Sequence, residues 1–189
     1  MSLLLQQTKD EVSLAVALAK RSDIVSVGLR GAKLTCGPAS NLKRTLKPSL
    51  GFEPGRAVVS KQSFSIETNY WFRGLGEDPQ QEPIIEITCT LESRYDITDP
   101  DFEPSAEQLE AFRQGNAVFN TWPFFREFVQ SSVTRMGSPA PPVPFLRLVP
   151  KDDPAKTIDV AAQSAQDALP LNAEPQAVAK KNKRRSNPK

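Results

Sequence analysis

The chain has 189 residues, 39% of them apolar and 24% charged, enough for one domain of ordinary size with its own core plus a tail. It contains no histidine, which removes Ser-His-Asp and Cys-His catalysis and the commonest metal ligand; its two cysteines cannot complete a tetrahedral zinc site without carboxylate help. The net charge of +2 hides an asymmetry: the last ten residues, KKNKRRSNPK, carry six positive charges and no negative one, while residues 1–179 hold 18 basic and 22 acidic residues.

No apolar run approaches the roughly 18 residues of a membrane-spanning helix. Leu3, Leu4 and Leu5 are too few for the apolar core of a secretion signal, and no basic segment precedes them. A cytoplasmic address is expected, with Cys36 and Cys89 as buried free thiols rather than a disulfide.

In chain order, residues 10–21 read as a short helix. Asp10 and Glu11 suit its first turn, Lys20 and Arg21 its last, and Val12, Leu14, Ala15, Leu18 and Ala19 form an apolar stripe. Strand-like alternation follows: Val25, Val27 and Leu29 share one phase, Ala32, Leu34 and Cys36 the other, and Gly31 marks a bulge where the phase changes. Residues 37–56, with three prolines and three glycines, read as a crossover containing one short strand near 43–48. A clearer strand spans 63–73, where Phe64, Ile66, Thr68, Tyr70 and Phe72 alternate with Ser63, Ser65, Glu67, Asn69, Trp71 and Arg73. After the turn GLGEDPQQEP, Ile85, Ile87, Cys89 and Leu91 alternate with Glu86, Thr88, Thr90 and Glu92. The two strands suit an antiparallel pair with one buried face and one wetter one.

Ser105 starts a helix, with Gln108 placed for a capping box and Leu109, Phe112, Asn116 and Phe119 at helical spacing. Pro123 is expected to break or sharply kink it and to open a second helix. That helix has Phe125, Phe128, Val129, Ser132, Val133 and Met136 as its inner face and Gly137 as its stop. The proline-rich run to Pro144 excludes helix, and residues 145–148 suit a last short strand or a docked segment. Beyond Pro150 aromatics cease, and residues 151–189 read as a disordered tail with a basic tip. A helix, then strands, then helices predicts an α+β fold in a domain of residues 1–150: an antiparallel four-stranded sheet with helices packed on one face.

Aromatic content is densest at Trp122-Pro123-Phe124-Phe125, beside an Arg126-Glu127 pair. Phe124 and Phe125 point about 100° apart on a helix, so one ring turns toward a partner subunit or a groove. Arg126 and Glu127, on the flank, read as structural or interface residues. Trp71 interrupts the polar phase of its strand between Asn69 and Arg73, and suits either a binding surface or a subunit interface. The sequence has no phosphate loop, nucleophile elbow, metal-ligand cluster or paired-carboxylate motif, so no enzyme activity, cofactor or metal is expected.

Trp122-Pro123, then Arg126-Glu127, Arg135 and Pro139, occur in the order and at the spacings of the SecB export-chaperone family, whose signature helix this stretch resembles. The preceding strand series agrees, and the resemblance spans roughly residues 10–148. The short helix running into the first strand looks more like the divergent SecB-like chaperones linked to toxin–antitoxin systems. The resemblance implies an ATP-independent cytoplasmic holdase, a homotetramer built as a dimer of dimers, that wraps unfolded or secretory polypeptides in apolar grooves. Such a binder needs exposed aromatic and aliphatic surface. It implies Leu46, Leu50, Phe52, Phe64, Tyr70, Trp71, Phe72, Trp122 and Phe124 as the client-binding surface. Ile84 and Glu86 fall where the family has an aliphatic and an acidic residue at its contact with the export motor SecA.

The nearest alternative is the same fold dedicated to an antitoxin. One of another class is a nucleic-acid-associated adaptor that uses the basic tail, recognisable by salt-dependent binding lost on deleting residues 180–189. The long tail departs from the short family tail that docks on the motor, and a simply solvated end is the plain reading.

Overall fold

The alternation at 63–73 and 85–94 builds the centre of the protein. In a computed structural model, which describes residues 2–38, 42, 46–76 and 82–151, these segments are β4 (Ser63–Leu75) and β5 (Ile85–Ile97). Beside β5 lies β2 (Ser22–Cys36), and beside β4 lies β3 (Lys47–Ser60); all pairings are antiparallel, in the order β2-β5-β4-β3. Side chains alternate between the two faces of a strand. One face of the central pair therefore sends Phe64, Ile66, Tyr70, Phe72, Ile85, Ile87, Cys89, Leu91 and Tyr95 into the core. On that face lie α1 (Lys9–Ala19), α2 (Ala106–Gln114) and α3 (Asn116–Arg135), the expected α+β arrangement. The described residues lie within the unit Met1–Asp153, and the tail from 152 onward, with its basic tip, is outside them.

Local chemistry sets the helix ends. Thr8 caps α1: its hydroxyl accepts from the Glu11 N–H at 3.2 Å, and the Glu11 carboxylate accepts from the Thr8 N–H at 2.7 Å. The Thr8 backbone bond holds the Glu11 carboxyl below its ordinary value. Ser105 and Gln108 form the expected box at α2. Gly137, at φ +86°, ends α3: its N–H donates to Thr134 at 3.0 Å and that of Ser138 to Val133 at 3.2 Å. This left-handed closure suits glycine.

The helix break is not at Pro123. α3 runs through it, and the chain turns instead at Gly115, between α2 and α3. Pro123 lies on the solvent side, where the carbonyl it leaves without a donor can be hydrated; inward, Val118, Trp122, Phe125, Val129 and Val133 keep their burial. At Gly115 a β-carbon would collide with the buried amide of Gln7, whose Nε2 donates to the Ala111 carbonyl at 2.9 Å. A residue from the start of the chain thus decides where two helices part.

The crossover expectation is also corrected. Residues 47–60 form one 14-residue strand, and only 43–45 of the expected short strand lie outside the described residues. Pro48 and Pro54 are tolerated because β3 is an edge strand, where a missing N–H can face away from the sheet. β1 (Ser2–Gln7), not expected, pairs in parallel with β6 (Phe145–Pro150) in a second, two-stranded sheet, and Leu5 and Leu146 join the main core. The bulge near Gly31 is present, with a second between Ile24 and Ser26. Cys36 is exposed rather than buried, because it sits at the end of edge strand β2, beyond the helices; Cys89 is buried, and burial pushes its thiol up to about 11.

Two outcomes follow. Gly115→Ala destabilises by about 1–2 kcal/mol in urea melts, and adding Gln7→Ala recovers part of the loss. Native protein treated with iodoacetamide alkylates Cys36 promptly, and Cys89 only when denaturant is added.

Candidate functional site

The aromatic signature of α3 packs onto β4. The Tyr70 and Phe125 rings stack at 4.5 Å and 14°, and Trp122 tilts against both at 5.9 and 5.4 Å. The Tyr70 hydroxyl bonds Thr121 Oγ1 at 2.6 Å and donates to the Val118 carbonyl at 3.1 Å; burial pushes that phenol well above its ordinary value. Phe52 of β3 closes the cluster, 6.3 Å from Tyr70 and 6.3 Å edge-on from Trp122. Phe52 is only partly buried, as are Leu46 and Leu50, and all three pack against this core. An apolar strip therefore runs along the β3 edge, with a fully packed aromatic cluster as its floor.

The nine residues expected on one client surface fall in four places. Leu46, Leu50 and Phe52 make the strip. Phe64, Tyr70, Phe72 and Trp122 are buried inside the subunit, a correction with a simple cause: they share the strand phase or helix face that the core consumes. Trp71 is half-buried on the opposite face of the sheet. It lies across Gly51, where any β-carbon would strike its ring, so it covers a glycine of the neighbouring edge strand. Phe124, 49% exposed, is on the solvent side of α3, about 200° around the helix from Trp122.

Sequence reasoning missed the segment that walls α3. Trp122 Nε1 donates to the Pro144 carbonyl at 3.0 Å and Arg126 Nε to that of Val143 at 3.2 Å, while the Arg126 guanidinium lies 4.3 Å from the centre of the Phe145 ring. Arg126, expected as a structural or interface residue, pins the proline-rich segment rather than pairing with Glu127. Phe145 is 66% exposed. The proline run itself was the available signal, since a segment that forms no helix must bond its carbonyls elsewhere.

Two glutamates on the outer sheet face are ion-paired. Glu92 accepts from Arg30 and from Arg94, the latter at 2.9 Å, and Glu86 accepts from Arg73 Nε at 2.9 Å. Ile84 is half-buried against the core. The Ile84–Glu86 pair of the expected motor contact therefore presents an ion-paired carboxylate and a largely occupied aliphatic chain. Among the described residues, no three of Cys, Asp and Glu gather as metal ligands would, and no described helix is long and apolar enough to cross a membrane.

The fold is similar to that of the Mycobacterium tuberculosis Rv1957 SecB-like chaperone, solved in complex with a ChAD peptide from the Rv1956 HigA1 antitoxin. The TM-score is 0.63 at 20% identity, covering 73% of this chain and 99% of that one. The SecB-like fold that the helix signature implied is the fold observed. A protein of unknown function from Streptococcus agalactiae aligns at 10% identity, over 66% of this chain and 97% of that one, with a TM-score of 0.34 that carries no argument. No protein-family model and no curated protein matches the sequence.

Urea melts separate the aromatic residues by place. Trp122→Ala costs about 3–5 kcal/mol, whereas Phe124→Ala stays within about 0.5 kcal/mol in the isolated subunit.

Proposed function

We propose that this protein is an ATP-independent chaperone that holds unfolded polypeptide against the apolar strip of Leu46, Leu50 and Phe52. The observation that carries the reading is the combination of a SecB-like fold with apolar side chains left partly uncovered along the β3 edge. A holdase needs apolar surface that is accessible yet too rigid to collapse. Here Tyr70, Trp122 and Phe125 supply a packed floor beneath Phe52. Exposed apolar side chains on β2 support assembly with further copies, up to the homotetramer. Ile24, Leu29 and Leu34 are 48%, 50% and 40% exposed, and each pairs with a core-facing residue of β5, so all three face the helix side without a helix above them.

An antitoxin as the dedicated client is the second reading. Two observations favour it over preprotein delivery to the export motor: the similar chaperone was solved with an antitoxin peptide, and Glu86 is engaged by Arg73. A cytoplasmic location accords with either reading.

Light scattering on the purified protein is expected to give a tetramer, and sub-stoichiometric tetramer slows aggregation of chemically unfolded luciferase without ATP. Phe52→Ser weakens that protection several-fold, by about 1–2 kcal/mol of lost apolar contact, and Glu86→Ala leaves it unchanged. A monomer without effect on aggregation overturns the reading.

A further inference from the structure

The backbone of the β3 edge carries information that its side chains do not. The Ile97 N–H donates to the Gln62 carbonyl at 2.8 Å, and Ser63 pairs with Asp96, so even-numbered residues of β4 turn their peptide groups toward β5. Odd-numbered residues of β4 turn theirs toward β3, because the two directions alternate along a strand. Arg73, Trp71 and Asn69 are opposite Ser49, Gly51 and Glu53. It follows that Pro48, Leu50, Phe52 and Pro54 direct their peptide groups away from the sheet. The prolines agree independently: both belong to this outward set, where no donor is missed.

The free edge is also bounded. Arg113 of α2 donates from Nη1 to the Pro54 carbonyl at 3.0 Å and to the Gly55 carbonyl at 2.8 Å, while its other nitrogens hold Glu110. Among the described residues, nothing pairs with β3 on its outer side. What is left is a short window with two N–H donors, on Leu50 and Phe52, and three acceptors, on Pro48, Leu50 and Phe52. Beside it lie the partly exposed Leu50 and Phe52 side chains, with Trp122 behind. Donors and acceptors repeating every two residues, about 7 Å apart, are matched by another extended backbone.

Resting on the proposed capture of unfolded polypeptide, we infer that β3 takes its client by strand addition. One extended segment with apolar side chains at alternate positions pairs with the backbone of Leu50 and Phe52 and lays its apolar side chains along the Leu50–Phe52 strip. Pro48 at one end and the Arg113-capped Pro54 at the other stop the pairing from spreading, which blunts the aggregation hazard of an open edge. Backbone bonds hold the segment whatever its sequence, as a binder of many unfolded chains requires, and the strip selects for apolar alternation.

Fluorescence anisotropy tests this with three fluorescein-labelled peptides of alternating leucine and serine: unmodified, N-methylated at every leucine, and N-methylated at every serine. One methylated peptide is expected to lose about tenfold or more in affinity, the scale of one or more lost hydrogen bonds, while the other stays within about twofold. Leu50→Pro, which removes an outward N–H and no bond to β4, binds the unmodified peptide about tenfold more weakly than Leu50→Ala, with circular dichroism confirming that both fold. Equal affinities for the three peptides overturn strand addition while leaving capture by side chains intact. Loss of the tetramer in Leu50→Pro with unaltered peptide binding also overturns it, by assigning the edge to a second copy. Failure of the unmodified peptide to bind removes the chaperone reading itself.

Discussion

The structure depends on a mismatch of width. Four strands make the sheet, but the ladder of large residues on β4 and β5 anchors the helices over its centre, through the stack of Tyr70 on Phe125 and the Trp122 ring beside them. The edge strands, β2 and β3, carry apolar side chains in the same phase with less cover. A protein that buried all of its apolar phase would gain hydrophobic stabilisation and lose its surfaces for association. Here the uncovered part is held in place by the covered part: Phe52 is positioned by the cluster it borders, and Leu29 and Leu34 by the ladder to β5.

The second constraint joins distant parts of the chain. Gln7, at the end of β1, occupies the space at Gly115 and bonds Ala111, while β6 pairs with β1 and follows the proline-rich segment that Trp122 and Arg126 hold against α3. The break between α2 and α3, the placement of the proline segment and the second sheet are therefore parts of one arrangement. Pro123 does not end a helix because its inward neighbours gain burial that offsets roughly 3 kcal/mol of proline penalty.

Edge position gives the prolines of β3 their meaning. In a central strand each would remove a ladder bond; at the edge they leave the ladder to β4 intact and limit what can add from outside. The same edge leaves Leu50 and Phe52 partly uncovered, so the prolines that restrain edge pairing and the strip proposed to hold a client occupy one segment. On the other sheet face, Trp71 lies over Gly51, and the carboxylates of Glu92 and Glu86 are held by arginines.

The sequence alone determined what depends on local period and local chemistry. The two-residue alternation of 63–73 and 85–94, the capping box of Ser105 and Gln108, the stop at Gly137 and the glycine bulge near Gly31 were all legible, because each is decided by neighbours within a few residues. The α3 motif also pointed to the fold. Tertiary structure decided which members of the apolar phase are covered: Phe64, Phe72 and Leu29 look alike in the alternation, and only their position across the sheet makes the first two core and the third surface. It also decided that 47–60 is a strand despite its prolines, and that Gly115 rather than Pro123 parts the helices. Those outcomes rest on contacts between residues far apart in the chain, such as Gln7 with Ala111, which no local pattern encodes.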